Sequence, residues 1–238
     1  MVIFLSKKSK TGRELASQLN MPLYRATMPI EATFAIRWGN VLPATINTLN
    51  TREAIMKASD KASCRKLLSE AGLPVPDLTE TDFPVIGRTR YHSQGRGFWY
   101  CSNSEDVARA KLQGAVYFSK FYPKKEEYRV HIGSGKVLLF SIKEGDKTQL
   151  IWNKRKSGFK FRHMRRSEWR EDNGLMAIQR ACKKALTIIG LDFGAVDVMA
   201  GASDSEPFVI SEINTAPSLS PLAMSKYVSY FQTRLGID

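Results

Sequence analysis

Two periodicities alternate along this chain and together predict a protein of mixed helices and strands. Apolar residues at helical spacing predict helices, which are Thr11–Leu19, a pair between Asn50 and Ala71, Ser104–Leu112, Asn173–Ile189 and Pro221–Leu235. Short apolar runs bounded by Gly, Pro, Asn or Asp predict strands, which are Val2–Leu5, Phe34–Trp38, Phe83–Arg88, Phe98–Cys101, Ala115–Phe121, Glu127–Ile132, Lys136–Ile142 and two arms of a hairpin within 194–214.

Local signals place the ends of several helices. Asn50 and Glu53 have the spacing of an N-cap residue and its N3 partner, so a helix is expected to begin there. The apolar positions of the last helix, Pro221–Leu235, are expected to pack inward, and they are Leu222, Met224, Tyr227 and Phe231.

The C-terminal hairpin carries the most informative polar pattern. If it is symmetric about its turn, Asp197 on the first arm lies opposite Glu212 on the second, and Asn214 shares a face with Glu212. Opposed carboxylates lie about 5 Å apart at Cβ and repel, so a cation between them is one interpretation. Carboxylate and amide oxygens suit Mg²⁺. An ordinary solvated hairpin is the equally weighted alternative.

A glycine-bearing loop separates the strands at Phe83–Arg88 and Phe98–Cys101. The backbone N–H groups around Gly95, Arg96 and Gly97 can cradle phosphates. A plain hairpin turn is the alternative interpretation of this loop, and the residues alone favour that alternative.

The segment 153–170 is the most basic part of the chain. Its basic residues are Lys154, Arg155, Lys156, Lys160, Arg162, Arg165, Arg166 and Arg170, and the aromatic residues in and beside it are Trp152, Phe159, Phe161 and Trp169. Basic and aromatic residues together can bind nucleic acid. A charged loop covering a phosphate-bearing site is the favoured alternative.

Composition narrows the class of protein. The chain has 238 residues and a formal net charge of +13, which favours anionic partners such as a nucleotide. Three cysteines, Cys64, Cys101 and Cys182, match no metal-binding spacing and suggest a reducing compartment. No apolar run reaches the roughly 18 residues of a membrane span. A cytoplasmic protein without a membrane partner is expected, as a monomer or homodimer.

Four stretches, in their order along the chain, resemble the ATP-grasp superfamily. They are Asp60-Lys61 followed by LLSEAGLPVP; FPVIGR followed by SQGRG; YFSKFYP followed by EEYRVHI; and LDFGAVDVM with FVISEINTAPSLS. The signature is similar to those of D-alanine–D-alanine ligases and glutamate-adding ligases, and the small size is similar to compact phage-encoded members, which would place the protein in a host cytoplasm.

This resemblance implies an α+β ATP-grasp fold, in which two α+β subdomains grip ATP between them. It also implies a very reduced N-terminal α/β segment over 1–50 and linking helices over 51–76. The small subdomain with the glycine loop would occupy 77–121, and the large subdomain with the metal site would occupy 122–238.

The resemblance also implies roles for individual residues. Lys61, Arg88, Gly95, Arg96, Gly97, Lys120, Phe121, Tyr122 and Glu127 would bind ATP. Asp197, Glu212 and Asn214 would hold Mg²⁺ or, alternatively, Mn²⁺. Arg129 and Arg88 would act in catalysis, and Arg129, Arg155 and Ser218 would contact substrate. Two positions depart from the family pattern, since Arg88 stands where lysine is usual and Ser119 stands where an acidic residue is usual.

The activity implied is ATP-dependent ligation of a carboxylate, from a small molecule or a peptide, to an amine or thiol through an acyl phosphate. A kinase on the same fold is one alternative. A protein that binds or modifies nucleic acid through its basic loop is another. If that loop mainly covers substrate, binding to nucleic acid is expected to be weak.

Overall fold

The computed structural model describes residues 1–91, 97–152, 158–201 and 207–237. Its strands are β1 Val2–Ser6, β2 Leu23–Tyr24, β3 Phe34–Trp38, β4 Asn47–Leu49, β5 Val85–Arg88, β6 Phe98–Cys101, β7 Tyr117–Lys120, β8 Glu126–Gly133, β9 Lys136–Glu144, β10 Lys160–His163, β11 Phe193–Ala200 and β12 Phe208–Asn214. Its helices are α1 Lys10–Gln18, α2 Arg52–Ser59, α3 Lys61–Glu70, α4 Ser104–Leu112, α5 Arg166–Arg170, α6 Asn173–Ile189 and α7 Pro221–Leu235. None of the helices in these ranges is long and apolar enough to cross a lipid bilayer.

The N-terminal segment is a small parallel sheet in the order β2-β1-β3-β4. The predicted N-cap at Asn50 is wrong by one residue, because Thr51 caps α2 and its side chain accepts the N–H of Ala54 at 3.1 Å. Asn50 instead has a φ of 61° and is fully buried. Its amide accepts the N–H groups of Asp192 and Phe193 at 2.8 and 3.1 Å and donates to the Phe193 carbonyl at 3.0 Å. It therefore fastens this segment to the start of β11.

The central sheet has five antiparallel strands in the order β10-β9-β8-β11-β12. One face is apolar and packs on α6, whose buried stripe is Leu175, Ile178, Cys182, Ala185 and Ile189. The Asp172 side chain caps α6 by accepting the Leu175 N–H at 2.9 Å, and Gly190 ends it in the left-handed conformation at a φ of 85°. The opposite face carries polar side chains such as Arg129 and Asp197 and, at one end of β11, Phe193, which packs on α7.

A third, smaller antiparallel sheet has the order β6-β5-β7 and packs on α4. Helix α4 begins at the predicted residue because Asn103 accepts the N–H of Asp106 at 2.9 Å. The chain leaves this sheet after Lys120 and enters the central sheet at Glu126, so 121–125 form the connection between the two.

Helix α7 closes the molecule against both the N-terminal and the central sheet. Tyr227 lies edge-on to Trp38 of β3 with ring centroids 5.2 Å apart, and Phe231 lies edge-on to Phe193 of β11 at 5.0 Å. The prediction that Leu222 packs inward is wrong, because it lies in the first turn of α7 and is 43% exposed.

Candidate active site

A row of five polar residues crosses the central sheet from edge to edge. His163 of β10 lies opposite Ser141 of β9, and Ser141 lies opposite Arg129 of β8. Arg129 in turn lies opposite Asp197 of β11, which lies opposite Glu212 of β12. Directly opposite residues point to the same face of a sheet, so these five residues form one polar row. The predicted pairing of Asp197 with Glu212 is confirmed.

An ion pair lies at the centre of the polar row. Arg129 donates from Nε and one terminal nitrogen to the two carboxylate oxygens of Asp197, at 2.6 and 2.7 Å. Asn214 donates its side-chain N–H to Asp197 Oδ2 at 3.1 Å. Burial alone would raise the pKa of Asp197, but the Arg129 charge and hydrogen bonds hold that pKa below its usual range.

This ion pair changes the expected electrostatics of the hairpin. The sequence suggested two carboxylates repelling one another, whereas Arg129 compensates the charge of Asp197 in the protein itself. The Asp197–Glu212 repulsion is therefore not the dominant interaction there, and that expectation is wrong.

Lys61 lies against the end of the polar row at Glu212. Its ammonium nitrogen is 3.9 Å from Glu212 Oε2 and donates to the Ile213 carbonyl at 2.9 Å. Lys61 holds this position because it opens α3, which Asp60 caps by accepting the Ser63 N–H at 3.2 Å. Lys7, the residue after β1, interacts electrostatically with both Lys61 and Glu212. Burial and then the charge of Lys61 lower the pKa of Lys7. Sequence patterns gave no signal for Lys7.

Asp197, Glu212 and Asn214 present a donor set that fits a hard divalent cation. A carboxylate has about four lone-pair positions, and Asp197 uses three of them for Arg129 and Asn214, so acceptor capacity remains. In the part of the chain that the structure describes, no group of three or more His, Cys, Asp and Glu side chains could hold a metal. The set has two carboxylates and one amide, which is typical of Mg²⁺ sites that phosphates and waters complete.

Glu127, at the start of β8, is buried between two lysines. Lys124 lies 2.9 Å from one carboxylate oxygen, and Lys143 of β9 donates to the other. Each lysine also lies over an aromatic ring, Lys124 over Trp152 at 4.8 Å and Lys143 over Phe161 at 5.5 Å from the ring centroids. The two lysines are site residues that sequence reasoning missed.

Three residues predicted to bind ATP lie where the chain passes between the two antiparallel sheets: Lys120 ends β7, and Phe121 and Tyr122 begin the connection. Lys120 forms an ion pair with Asp82 at 2.7 Å, and the backbone N–H of Phe121 donates to the Pro84 carbonyl at 2.9 Å. Tyr122 is 5% exposed.

The glycine loop is described at its two ends. Arg88 ends β5, and its guanidinium carbon lies 5.3 Å from the Phe98 ring centroid. Gly97 has a φ of 58°, and a Cβ there would lie 2.8 Å from Thr89 Oγ1, so the backbone turn requires glycine. Gly95 and Arg96 of the predicted loop, and Arg155 of the predicted substrate set, lie outside the described residues. Ser218 lies exposed in the connection between β12 and α7.

The aromatic residues in and beside the basic segment are engaged within the protein. Trp152 and Phe159 are buried and stack on each other with centroids 4.8 Å apart. Trp169 stacks on Phe140 at 5.9 Å, and Phe161 lies 4.5 Å beneath the Arg129 guanidinium. These rings stabilise the sheet and the polar row, and this arrangement favours the covering-loop interpretation over base stacking.

Comparisons with known proteins agree with this architecture. No protein-family model matches the chain. A 5-formaminoimidazole-4-carboxamide-1-(beta)-D-ribofuranosyl 5'-monophosphate synthetase of Pyrobaculum arsenaticum is 34% identical over 92 residues, which cover 37% of this chain and 28% of the length of that protein. The D-alanine–D-alanine ligase of Bacillus anthracis, solved with ATP, superposes with a TM-score of 0.67 over 98% of this chain and 94% of the other, at 16% identity.

A second solved structure is described as an ATP-grasp ligase, PsnB, in complex with a minimal precursor. It superposes with a TM-score of 0.65 over all of this chain and 94% of the other, at 14% identity. This chain has the ATP-grasp fold. The predicted fold class is confirmed, and identities this low establish the fold alone.

Proposed function

We propose that this ATP-grasp protein is an ATP-dependent ligase that joins a carboxylate to an amine or thiol through an acyl phosphate. The observation that carries the proposal is the charged end of the polar row, where Arg129 pairs with Asp197 and Lys61 of α3 lies against Glu212. Fixed charges of both signs suit a reaction in which phosphate charge must be positioned and neutralised. The names of the similar proteins, which are ligases and a synthetase, support it.

ATP would lie between the small antiparallel sheet and the polar face of the central sheet. Lys61 and Arg88 would hold its phosphates from opposite sides, and the glycine loop from Gly95 through Gly97 would cover the transferred group. Lys120 at the end of β7, with Phe121 and Tyr122 on the connection between the two sheets, would contact adenine. Glu127 would accept the ribose hydroxyls, held in place by Lys124 and Lys143.

Asp197, Glu212 and Asn214 would hold Mg²⁺ or Mn²⁺, which when bound neutralises phosphate charge and orients the nucleotide. Arg129 would bind the acyl phosphate. A guanidinium has five N–H donors, and Asp197 orients it by engaging the donors at Nε and one terminal nitrogen. The Phe161 ring packs against the guanidinium, with its centroid 4.5 Å from the guanidinium carbon.

In the proposed reaction a carboxylate oxygen attacks the γ-phosphate of ATP, and ADP leaves. The amine or thiol then attacks the acyl carbon and phosphate leaves. The acid is a small molecule or a peptide end, and Ser218 and Arg155 would contact it from the segments around the site. Water must be excluded because it would hydrolyse the acyl phosphate, and the basic segment with its Trp152–Phe159 stack would provide that cover.

Thermal unfolding with ATP and Mg²⁺, with ATP and EDTA, and with neither tests the nucleotide site. Ligand at about 100 times its dissociation constant stabilises a protein by roughly 2.7 kcal/mol, so the first sample should melt highest. Lys61→Ala should lose most of this shift. Lys66→Ala, a change of the same residue type on the exposed face of the same helix, should keep it. No shift at millimolar ATP–Mg²⁺ contradicts the proposal.

A panel of acid–amine and acid–thiol pairs, scored by ADP release and product mass, tests the reaction. ADP release that requires both partners supports ligation. ADP release with acid alone and a stable phosphorylated product would instead support the kinase alternative.

A further inference from the structure

His163, at the outer end of the polar row, is held between two serine hydroxyls. Its Nδ1 lies 2.9 Å from Ser141 Oγ, and its Nε2 lies 2.7 Å from Ser220 Oγ. Ser141 is 1% exposed, whereas His163 and Ser220 are half-buried. The chain of hydrogen bonds therefore runs from a fully buried hydroxyl to a half-buried one.

One arrangement of the hydrogen atoms satisfies these hydrogen bonds with Ser220 as a donor to His163. Ser220 is the N-cap of α7, and its Oγ accepts the backbone N–H of Ala223 at 3.2 Å. The Ser220 hydroxyl hydrogen is then available for His163 Nε2. The tautomer of His163 that carries its proton on Nδ1 satisfies the third hydrogen bond, because that N–H donates to Ser141 Oγ. In this arrangement Ser220 donates to an unprotonated imidazole nitrogen.

The imidazole is kept in the form that can accept a proton, because burial lowers the pKa of His163. A hydroxyl within about 2.6–3.2 Å of a base, which is itself oriented by a third group, is the geometry of an activated nucleophile. Ser141 supplies the orienting group here. The N-terminal end of α7, where Ser220 lies, also favours negative charge that develops on an attacked carbonyl.

We propose that Ser220 is a nucleophile that takes an acyl group from an activated acyl compound, either an ester or an acyl phosphate. Ser220 Oγ forms a bond to the acyl carbon, and its proton passes to His163 Nε2. The bond from the acyl carbon to the leaving oxygen breaks, and that oxygen departs with the electron pair. Ser141 is the positioning residue that orients His163.

This site lies apart from the proposed phosphate site and does not depend on it. His163 is two strand spacings from Arg129, which is roughly 10 Å, and three strand spacings from Asp197, which is roughly 14 Å. The acyl transfer to Ser220 needs no ATP, so its failure and the failure of the proposed ligase activity are distinguishable.

The experiment uses p-nitrophenyl acetate with the full chain and no nucleotide. We expect a burst of p-nitrophenolate equal to one equivalent of protein, and one acetyl group located on Ser220 by fragmentation of the modified peptide. Acetylation of other residues with none on Ser220, or no burst at all, overturns the proposal.

Substitutions distinguish the proposed nucleophile, Ser220, and the proposed base, His163, from the helix-capping role of Ser220. Ser220→Asn removes the hydroxyl but keeps a good N-cap residue, so α7 stays folded and the burst disappears. His163→Gln should slow the burst about 100-fold, the lower end of what a general base contributes. Ser141→Ala should slow it less, and Ser141→Thr, which keeps a hydroxyl, should restore it.

Ser225→Ala is the matched control, because Ser225 lies on the same helix and its hydroxyl donates only to the Leu222 carbonyl among the described residues. Its burst should equal that of the unaltered protein. A burst that His163→Gln leaves at full rate overturns the proposal.

Discussion

Arg129 and Asp197 form a two-point ion pair, with nitrogen–oxygen distances of 2.6 and 2.7 Å, across neighbouring strands of the central sheet. Both side chains are largely shielded, with 15% and 7% exposed. Removing one partner of such a pair leaves an uncompensated charge in a poorly solvated place, which costs about 3–5 kcal/mol. Asp197, the proposed metal ligand, is thus also a structural partner of Arg129, which is proposed to bind substrate.

Asp197→Asn is therefore expected to lower the free energy of unfolding by about 3 kcal/mol and to abolish ATP turnover. The double variant Arg129→Met/Asp197→Leu removes both charges together. It should regain much of the lost stability, because replacing a whole buried pair with apolar residues is often neutral, yet remain inactive. Urea unfolding and ADP release measure the two effects. A single variant as stable as the unaltered protein would contradict the structural role of the pair.

Arg88 is expected to act on phosphate more than on folding. Arg88→Lys keeps the positive charge and should retain much of the activity. Arg88→Ala should weaken ATP binding about tenfold to 100-fold, as expected for the loss of a hydrogen bond to a charged group. Arg109→Ala is the matched control, because Arg109 lies exposed on α4 of the same sheet unit. Calorimetric titration with ATP–Mg²⁺ gives the affinities. If Arg88→Ala unfolds the protein, Arg88 has a structural role instead.

His131 predicts a specific pH dependence of stability. Burial, followed by the Arg129 charge, lowers the pKa of His131 to about 3. Between pH about 6.5 and 3 the unfolded chain binds a proton at this residue that the folded chain does not. Stability should therefore fall as pH is lowered through this window, by up to about 1.4 kcal/mol per pH unit.

The variant His131→Phe has no imidazole that the unfolded chain could protonate. Its free energy of unfolding should therefore depend less on pH between pH 7 and 5, where most carboxylates remain ionised. Urea unfolding at each pH provides the comparison. If the free energies of unfolding of the two proteins depend on pH in the same way, His131 binds its proton equally well in the folded and unfolded chains, which contradicts the prediction.

The basic segment is expected to bind nucleic acid only weakly. Single-stranded oligonucleotides of different sequence should bind with similar dissociation constants of about 10⁻⁴–10⁻⁶ M near physiological salt. Replacing exposed Lys160 or Arg166 by alanine should reduce the slope of log affinity against log salt by about one each, where that residue contacts a phosphate. Fluorescence anisotropy across a salt series measures this. Tight, salt-resistant binding to one sequence would favour the nucleic-acid alternative.

Elements governed by neighbouring residues could be predicted from the sequence. The bounds of α4 and α6 match their predicted bounds, because caps and apolar spacing are local signals. The pairing of Asp197 with Glu212 was also predictable, since the two strands lie close together along the chain.

Contacts between distant segments could not be read from local patterns. Arg129 and Asp197 are 68 residues apart, and His163 and Ser220 are 57 apart. Their meeting depends on the strand order β10-β9-β8-β11-β12, which no short pattern specifies. Asn50 shows how local and distant demands compete. Its sequence context is that of a helix cap, yet its side chain forms hydrogen bonds with backbone groups 142 and 143 residues away.

The hydrogen bonds of Asn50 to Asp192 and Phe193 join the N-terminal sheet to β11. We therefore expect the two to unfold locally as one cooperative unit. The strand that Asn50 holds at Phe193 carries Asp197 four residues later, so local opening of the N-terminal segment releases one end of the strand that bears the ion pair. Amide hydrogens of β1 and β3 should exchange with solvent at rates close to those of β11, and Asn50→Ala should speed both together. We therefore expect the N-terminal sheet to limit how often the strand that bears Asp197 opens.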